Sequence, residues 1–213
     1  MVIRKKENNN KLNKSWLIIT GSLLFIAGIC IIIFDVLSDK NIDKNENNAL
    51  KDFYIHETEL VEEQQDEIIE IPVEEKKKQK IEYIAALKIP KINFERGLVN
   101  PSSYLNNIQY NVAFLKDSAM PDQINGNVIL AAHSGNARIS YFKKLDKLSI
   151  DDKVIIDYKG KTYTYSVAHI YDIEKTGKAK IIRNQNTSTL TLITCRHNTN
   201  NQIVVICELV NVS

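Results

Sequence analysis

Hydrophobic and polar positions change their pattern twice along this chain. Residues 15–34, "SWLIITGSLLFIAGICIIIF", form one uncharged and mostly apolar run. At about 20 residues, it has the length a helix needs to cross a bilayer core. Residues 38–80 are polar: an Asn, Asp and Lys mixture gives way to the acidic "ETELVEEQQDEIIEIPVEE" and closes on "KKKQK". From Ile81 onward come short runs rich in Val, Ile, Thr and Tyr, divided by turn residues. They are "AALKIP", "INFERGLV", "NVILAAH", "KVIIDYKGKTYTYSVAHIY", "TLTLITC" and "QIVVICELV", and such runs read as strands. "YKGKTYTY" predicts a hairpin turning at Lys159 and Gly160, with Tyr163 and Tyr165 on one face. In "YFKKLDKL" and its surroundings, Phe142, Leu145 and Leu148 recur at helical spacing and predict a short helix. Closely spaced strands with small helical insertions predict a mainly β domain, an antiparallel barrel or sandwich.

Charge orients the apolar run. Arg4, Lys5, Lys6, Lys11 and Lys14 precede it, whereas Asp35 and Asp39 begin the other flank, so the positive-inside rule leaves the N-terminus cytoplasmic. A cleaved secretory signal would have a shorter apolar region ending in a small-residue cleavage site, which this stretch lacks. The expected organisation is a basic cytoplasmic tail (1–14), a single-pass transmembrane anchor in the cell membrane (15–37), a polar stalk (38–80) and one extracellular domain (81–213). The stalk's composition favours an extended or loosely helical spacer. Its apolar positions Leu60, Val61, Ile68, Ile69 and Ile71 make a helical stripe too short for a coiled coil. A formal net charge of +2 gives no reason to expect nucleic acid as a partner. No cysteine and histidine spacing suggests zinc, and no cofactor is expected.

Cys30 lies inside the apolar run, which leaves Cys195 and Cys207 in an extracellular setting where disulfides form. If the last two runs pair around residues 196–201, Cys195 sits near Gln202 and Cys207 faces Leu190. The gap of about five strand residues is then roughly 17 Å at about 3.4 Å per residue, beyond the reach of a disulfide. Cys207 reads as a small strand residue without a chemical role. Cys195 ends its strand near the rim, and rim loops carry chemistry. A nucleophilic thiol needs a proton acceptor and cationic groups that favour thiolate. Three histidines compete for the first role. His133 closes "NVILAAH" where a strand leaves the sheet, His169 ends or bends another strand, and His197 lies in the loop after Cys195. His133 ranks first, because a loop neighbour such as His197 is poorly held.

"TLITC", residues 191–195, resembles the TLxTC active-site motif of sortases. "GNVILAAH", residues 126–133, is similar to the sortase strand that delivers the catalytic histidine. "YFKKLDKLSIDDKVII" and "LKIPKIN" resemble other landmarks of that family, in the same order, across roughly residues 83–210. The resemblance implies a closed eight-stranded β-barrel transpeptidase of the Gram-positive cell surface. Cys195 would attack a peptide carbonyl within an LPXTG-like sorting signal of a surface protein, and His133 would protonate the departing amine. An amine nucleophile, from a cell-wall precursor or another protein, would then resolve the acyl-thioester. The family uses no metal for this chemistry; some members bind calcium, and no acidic cluster here compels such a site.

One departure from the family pattern stands out: sortases carry an arginine on the strand after the cysteine, and here that register holds Gln202. A glutamine donates hydrogen bonds without charge or a guanidinium's fixed fork. Loss of one oxyanion donor costs about 3 to 4 kcal/mol in other enzymes. Arg196 is the other candidate. It adjoins Cys195, so strand alternation aims it at the opposite face unless the chain turns there. "SGNARIS" and "EKTGKAKIIRNQNTS" are the loops expected to shape the substrate site. Two other readings stand beside the transpeptidase: a cysteine peptidase of the same fold, and a non-catalytic anchored surface module.

Overall fold

Alternating apolar residues from Ile81 onward build strands, and their pairing in the computed structural model sets the architecture. Residues 14–62, 81–176, 179–196 and 198–213 are described, without the side chains of 14–18, 34–45 and 56–62. The chain divides into two compact units, Met1–Asn45 and Glu46–Ser213. A long helix, α1 (Lys14–Glu62), begins in the first and ends in the second.

In the first unit the described side chains of α1 run from residue 19 to 33, and Leu23, Leu24, Phe25, Ile26, Ile31, Ile32 and Ile33 are all exposed. Among the described residues no helix is long and apolar enough to cross a membrane. The span expected at 15–34 falls partly outside the described side chains.

In the second unit the described residues form eight strands: β1 (Tyr83–Ile89), β2 (Phe94–Val99), β3 (Ala113–Phe114), β4 (Asn127–Ala131), β5 (Lys153–Tyr158), β6 (Lys161–Glu174), β7 (Thr189–Cys195) and β8 (Asn201–Val212). They make one sheet in the order β2-β1-β5-β6-β8-β7-β4-β3. All pairings are antiparallel except the parallel β4–β7 pair. The fold is mainly β, and the expected closed barrel is corrected to a nearly closed one, because no ladder joins β2 to β3. Side-chain amides take over where the ladder stops. Asn111, just before β3, donates from Nδ2 to the Gly97 carbonyl on β2 at 3.2 Å and accepts from Arg96 Nε at 2.9 Å. On β3 itself the Asn106 amide accepts from Phe114 N at 2.8 Å and donates to Phe114 O at 3.1 Å. These bonds answer the backbone groups that an edge strand otherwise leaves unpaired.

The predicted hairpin joins β5 to β6 at Lys159 and Gly160, with φ of 51° and 69°. Positive φ at both central residues matches the twist of the flanking strands. The expected helix near Phe142 is a single 3₁₀ turn, Leu145–Lys147. Inside the barrel, Leu87, Ile89, Leu130, Phe142, Ile156, Tyr165, Leu190, Leu192 and Ile203 are among the fully buried side chains. The Tyr165 hydroxyl is buried there with no hydrogen-bond partner.

Part of the stretch read as a stalk lies on the barrel wall instead. In α1, Ala49 and Phe53 are one helical turn apart and pack with Tyr83, Ala86 and Val99. Such i, i+4 neighbours share one helix face. Glu46 forms a two-pronged ion pair with Arg96 of β2, the Nη2 arm at 2.6 Å. The Tyr54 hydroxyl donates to Glu95 at 2.8 Å, and Lys88 Nζ lies 4.7 Å from the Tyr54 ring centre. The stripe formed by Leu60, Val61, Ile68, Ile69 and Ile71 lies outside the described side chains. Gly97 completes the seam: a Cβ there would come within 2.2 Å of the Tyr83 ring, so the missing side chain is what lets Tyr83 lie flat across β2.

Candidate active site

Alternation along β7 sorts its side chains between two faces. Leu190 and Leu192 belong to the barrel core, while Ile193 joins Val204 and Ile206 in a separate outer cluster with Ile129, Ala131, Tyr171, Ile173 and Ile181. Cys195 shares the parity of Ile193 and so belongs to the outer face. Ile181 belongs to the connection between β6 and β7, which folds over this face. The Tyr171 hydroxyl fastens it, donating to Lys180 O at 2.9 Å and accepting from Ile182 N at 3.0 Å. The outer cluster is therefore an apolar floor, roofed at one end and leading to Cys195, which is half-buried.

His133 arrives at the same place through the parallel β4–β7 pair. Ala131 stands opposite Ile193. The contact continues beyond β4: Ala132 N donates to Ile193 O at 3.3 Å, and Thr194 Oγ1 donates to Ala132 O at 2.7 Å. Extending that register sets His133 beside Cys195 on strands about 4.8 Å apart. Two further bonds hold the ends of the loop that follows His133. Ser134 Oγ donates to the Cys195 carbonyl, and Phe142 N donates to His133 O at 3.0 Å. At the start of both strands, Asn127 Oδ1 accepts from Thr189 at 3.0 Å and Thr191 at 2.9 Å, fixing the register from the far end.

The β7–β8 hairpin places the two candidates for the missing strand arginine on opposite faces. Cys195 pairs directly with Gln202, and opposed residues of an antiparallel pair project from the same face. Arg196 remains in the hairpin, its N–H donating to Asn201 O at 2.8 Å, so the chain does not turn there. Its Nε donates to both Asp172 carboxylate oxygens at 2.7 Å. Asp172 and Thr194 both pair with Ile203, which places the Arg196–Asp172 pair on the face opposite Cys195 and Gln202. Asp172 was not among the residues singled out from sequence; the only signal was one acidic residue within "HIYDIE".

The other candidates fall elsewhere. His169 is exposed beside a β-bulge of β6 and pairs with Ile206, four residues along the strand from Ile173, which pairs with Gln202. That is roughly 13 Å of strand, too far for His169 to serve Cys195. His197 lies outside the described residues. Cys207 is buried opposite Leu190, and burial pushes its thiol well above the ordinary range. Cys30, Cys195 and Cys207 are all free. A cavity of about 280 Å³ adjoins Cys195, lined by Ser134, Asn136, Phe142, Lys143, Asp146 and Arg196 among others. Among the described residues no cluster of His, Cys, Asp or Glu could hold a metal ion.

Residues 87–210 match the family model of the sortase domain. The chain belongs to the sortase family. Solved sortases share the fold of this one. A sortase D5 transpeptidase of Clostridium perfringens matches at 20% identity and a TM-score of 0.56, covering 79% of this chain and 99% of that one. Sortase A of Corynebacterium diphtheriae matches at 23% and 0.55, covering 63% of each chain, so this sortase spans less than two thirds of that structure. Sortase C1 of Streptococcus agalactiae matches at 25% and 0.53, covering 63% of this chain and 71% of that one. No curated protein sequence matches closely enough to count as a relative.

Proposed function

We propose that this sortase is a membrane-anchored cysteine transpeptidase acting on an LPXTG-like sorting signal at the cell surface. The observation that carries the reading is the parallel β4–β7 register, which extends to bring His133 beside Cys195 while Gln202 stands across the hairpin. A peptide lying along the apolar floor presents a carbonyl to the Cys195 thiolate. Attack forms the C–S bond, Gln202 donates a hydrogen bond to the developing oxyanion, and protonated His133 gives its proton to the departing amine as the C–N bond breaks. An incoming amine, from a cell-wall precursor or a protein, then releases the acyl group from the thioester. Gln202 brings no charge to the Cys195 thiol, and Arg196 is engaged by Asp172 instead.

The proposal extends to the N-terminus, where residues 15–34 cross the membrane with the basic tail inside. Its supports are the exposed apolar side chains between residues 19 and 33 and the cluster of basic residues ahead of them; a helix apolar all round belongs in a core or a bilayer. The test of the enzyme is intact mass of the full-length protein, in detergent, after incubation with a library of sorting-signal peptides. An acyl adduct on wild type and none on Cys195→Ala is the expected result. Added amine should convert the product from free acid to amide. A free acid unaffected by amine identifies a peptidase. No adduct with any peptide favours the non-catalytic module.

A further inference from the structure

Arg96 of β2 collects contacts from three directions. Its side chain is 12% exposed and that of its partner Glu46, on α1, is 15% exposed. From the same guanidinium, Nη2 donates to the Tyr141 hydroxyl at 2.8 Å, Nε reaches Asn111, and the plane lies 4.1 Å from the Tyr141 ring centre. The Glu46 carboxylate holds the guanidinium charged, raising its already high pKa against the opposing effect of burial. Tyr141 in turn donates to Tyr110 O at 3.2 Å. It immediately precedes Phe142, whose N–H closes the His133 loop and whose ring is fixed edge-on against Phe94 at 5.9 Å. Phe142 also lines the cavity beside Cys195. A continuous line of contacts thus runs from the helix ahead of the barrel to the backbone of His133.

We propose that Glu46, Arg96 and Tyr141 form a positioning clamp for the His133 loop, so that the segment preceding the barrel takes part in setting the active-site geometry. The inference rests on the reading of His133 as the residue that exchanges a proton at Cys195. None of the three touches the reacting atoms. They act by fixing the point where the loop returns to the barrel, and misplacement of a catalytic group by about 1 Å can cost on the order of 100-fold in rate.

The test uses full-length protein carrying Tyr141→Phe, Glu46→Gln, both together, or Tyr54→Phe. The last loosens the same helix segment at Glu95 and Asp157 instead. The pH profile of iodoacetamide labelling at Cys195, read by peptide mass, reports the thiol's proton partner without any substrate; kcat and KM for peptide transfer and a thermal midpoint accompany it. Tyr141→Phe should displace the labelling profile and lower kcat roughly 10-fold, with KM held within about 2-fold. Glu46→Gln should move both the same way by less. The double variant should be no worse than Tyr141→Phe alone, because the residues act through one network. Tyr54→Phe should leave the profile in place. A profile unmoved by Tyr141→Phe, or moved as much by Tyr54→Phe, overturns the clamp. If His133→Ala also leaves the profile unmoved, the reading of His133 falls with it; if His133→Ala moves it and Tyr141→Phe does not, the clamp alone is wrong.

Discussion

Gly97→Ala should reverse the sign that glycine replacement normally has in a strand. Alanine loses less backbone freedom on folding, so in an unobstructed strand interior the exchange stabilises by roughly 0.5–1 kcal/mol. At Gly97 the new methyl would lie 2.2, 2.3 and 2.5 Å from Cδ2, Cγ and Cε2 of Tyr83. The ring has little room to yield, being 7% exposed and packed with Ala49, Phe53, Ala86 and Val99. Overpacking costs about 1–3 kcal/mol, and contacts this short against a buried ring belong to the upper part of that range, so the net effect is a loss of about 1–2.5 kcal/mol. At about 2–4 °C per kcal/mol for a unit of this size, the thermal midpoint should fall by roughly 2–10 °C. The measurement is calorimetric or circular-dichroism melting of wild type, Gly97→Ala, Tyr83→Ala and the double variant. Tyr83→Ala is destabilising in itself, but in that background Gly97→Ala should raise the midpoint. An increase on the wild-type background, or an equal fall in both backgrounds, would refute the ring contact as the reason for glycine.

Three further outcomes follow from the geometry. Gln202→Ala should lower the acylation rate on the order of 100-fold, measured by quenched intact mass, while Arg196→Ala should lower it much less; the reverse ranking would return the oxyanion role to Arg196. Tyr165→Phe should stabilise the barrel by roughly 1 kcal/mol in a denaturant titration, since it removes a buried hydroxyl without a partner; a loss of stability would mean that the hydroxyl is satisfied. Burial raises the Tyr83 hydroxyl from 10.0 to about 12. The folded state therefore holds that proton longer than the unfolded chain, and its stabilising share is complete below pH 10 and lost as pH rises towards 12. Burial also raises Tyr54, Tyr165 and Cys207, so the readout is a difference: between those limits Tyr83→Phe should lose about 2 kcal/mol less than wild type in melting experiments; identical alkaline slopes for the two proteins would exclude Tyr83 as a source.

Local patterns were the legible part of this sequence. The Lys159–Gly160 turn, the strand runs and the opposition of Cys195 to Gln202 all follow from period-two alternation and turn chemistry. What spacing did not reveal depends on partners distant along the chain. Glu46 and Arg96 look like ordinary solvated charges until the fold brings them together, and Asp172 gives no sign of facing Arg196. The segment containing Ala49 and Phe53 reads as spacer from its polar composition, and two apolar positions among Asn, Asp and Lys carry no stripe strong enough to show the face that packs on the barrel. β3 has only two residues, too short for alternation to register, and its edge is completed by the Asn106 and Asn111 amides instead of by a strand. The parallel meeting of β4 and β7 is also invisible to local pattern, although it joins the two residues on which the proposed chemistry depends.

That parallel meeting has a consequence for quality control of the folded protein. A slip of β4 against β7 by one residue would turn Ala132 to where His133 belongs, or Thr194 to where Cys195 belongs, because one step along a strand exchanges its faces. Such a molecule could keep its sheet, its spectrum and much of its core, yet be inert. The two threonine bonds to Asn127 and the Thr194 bond to Ala132 act as alignment pins against it. On the proposed assignment, active-site titration of a preparation would therefore count molecules in the correct alignment, a defect that mass, solubility and circular dichroism would all pass over.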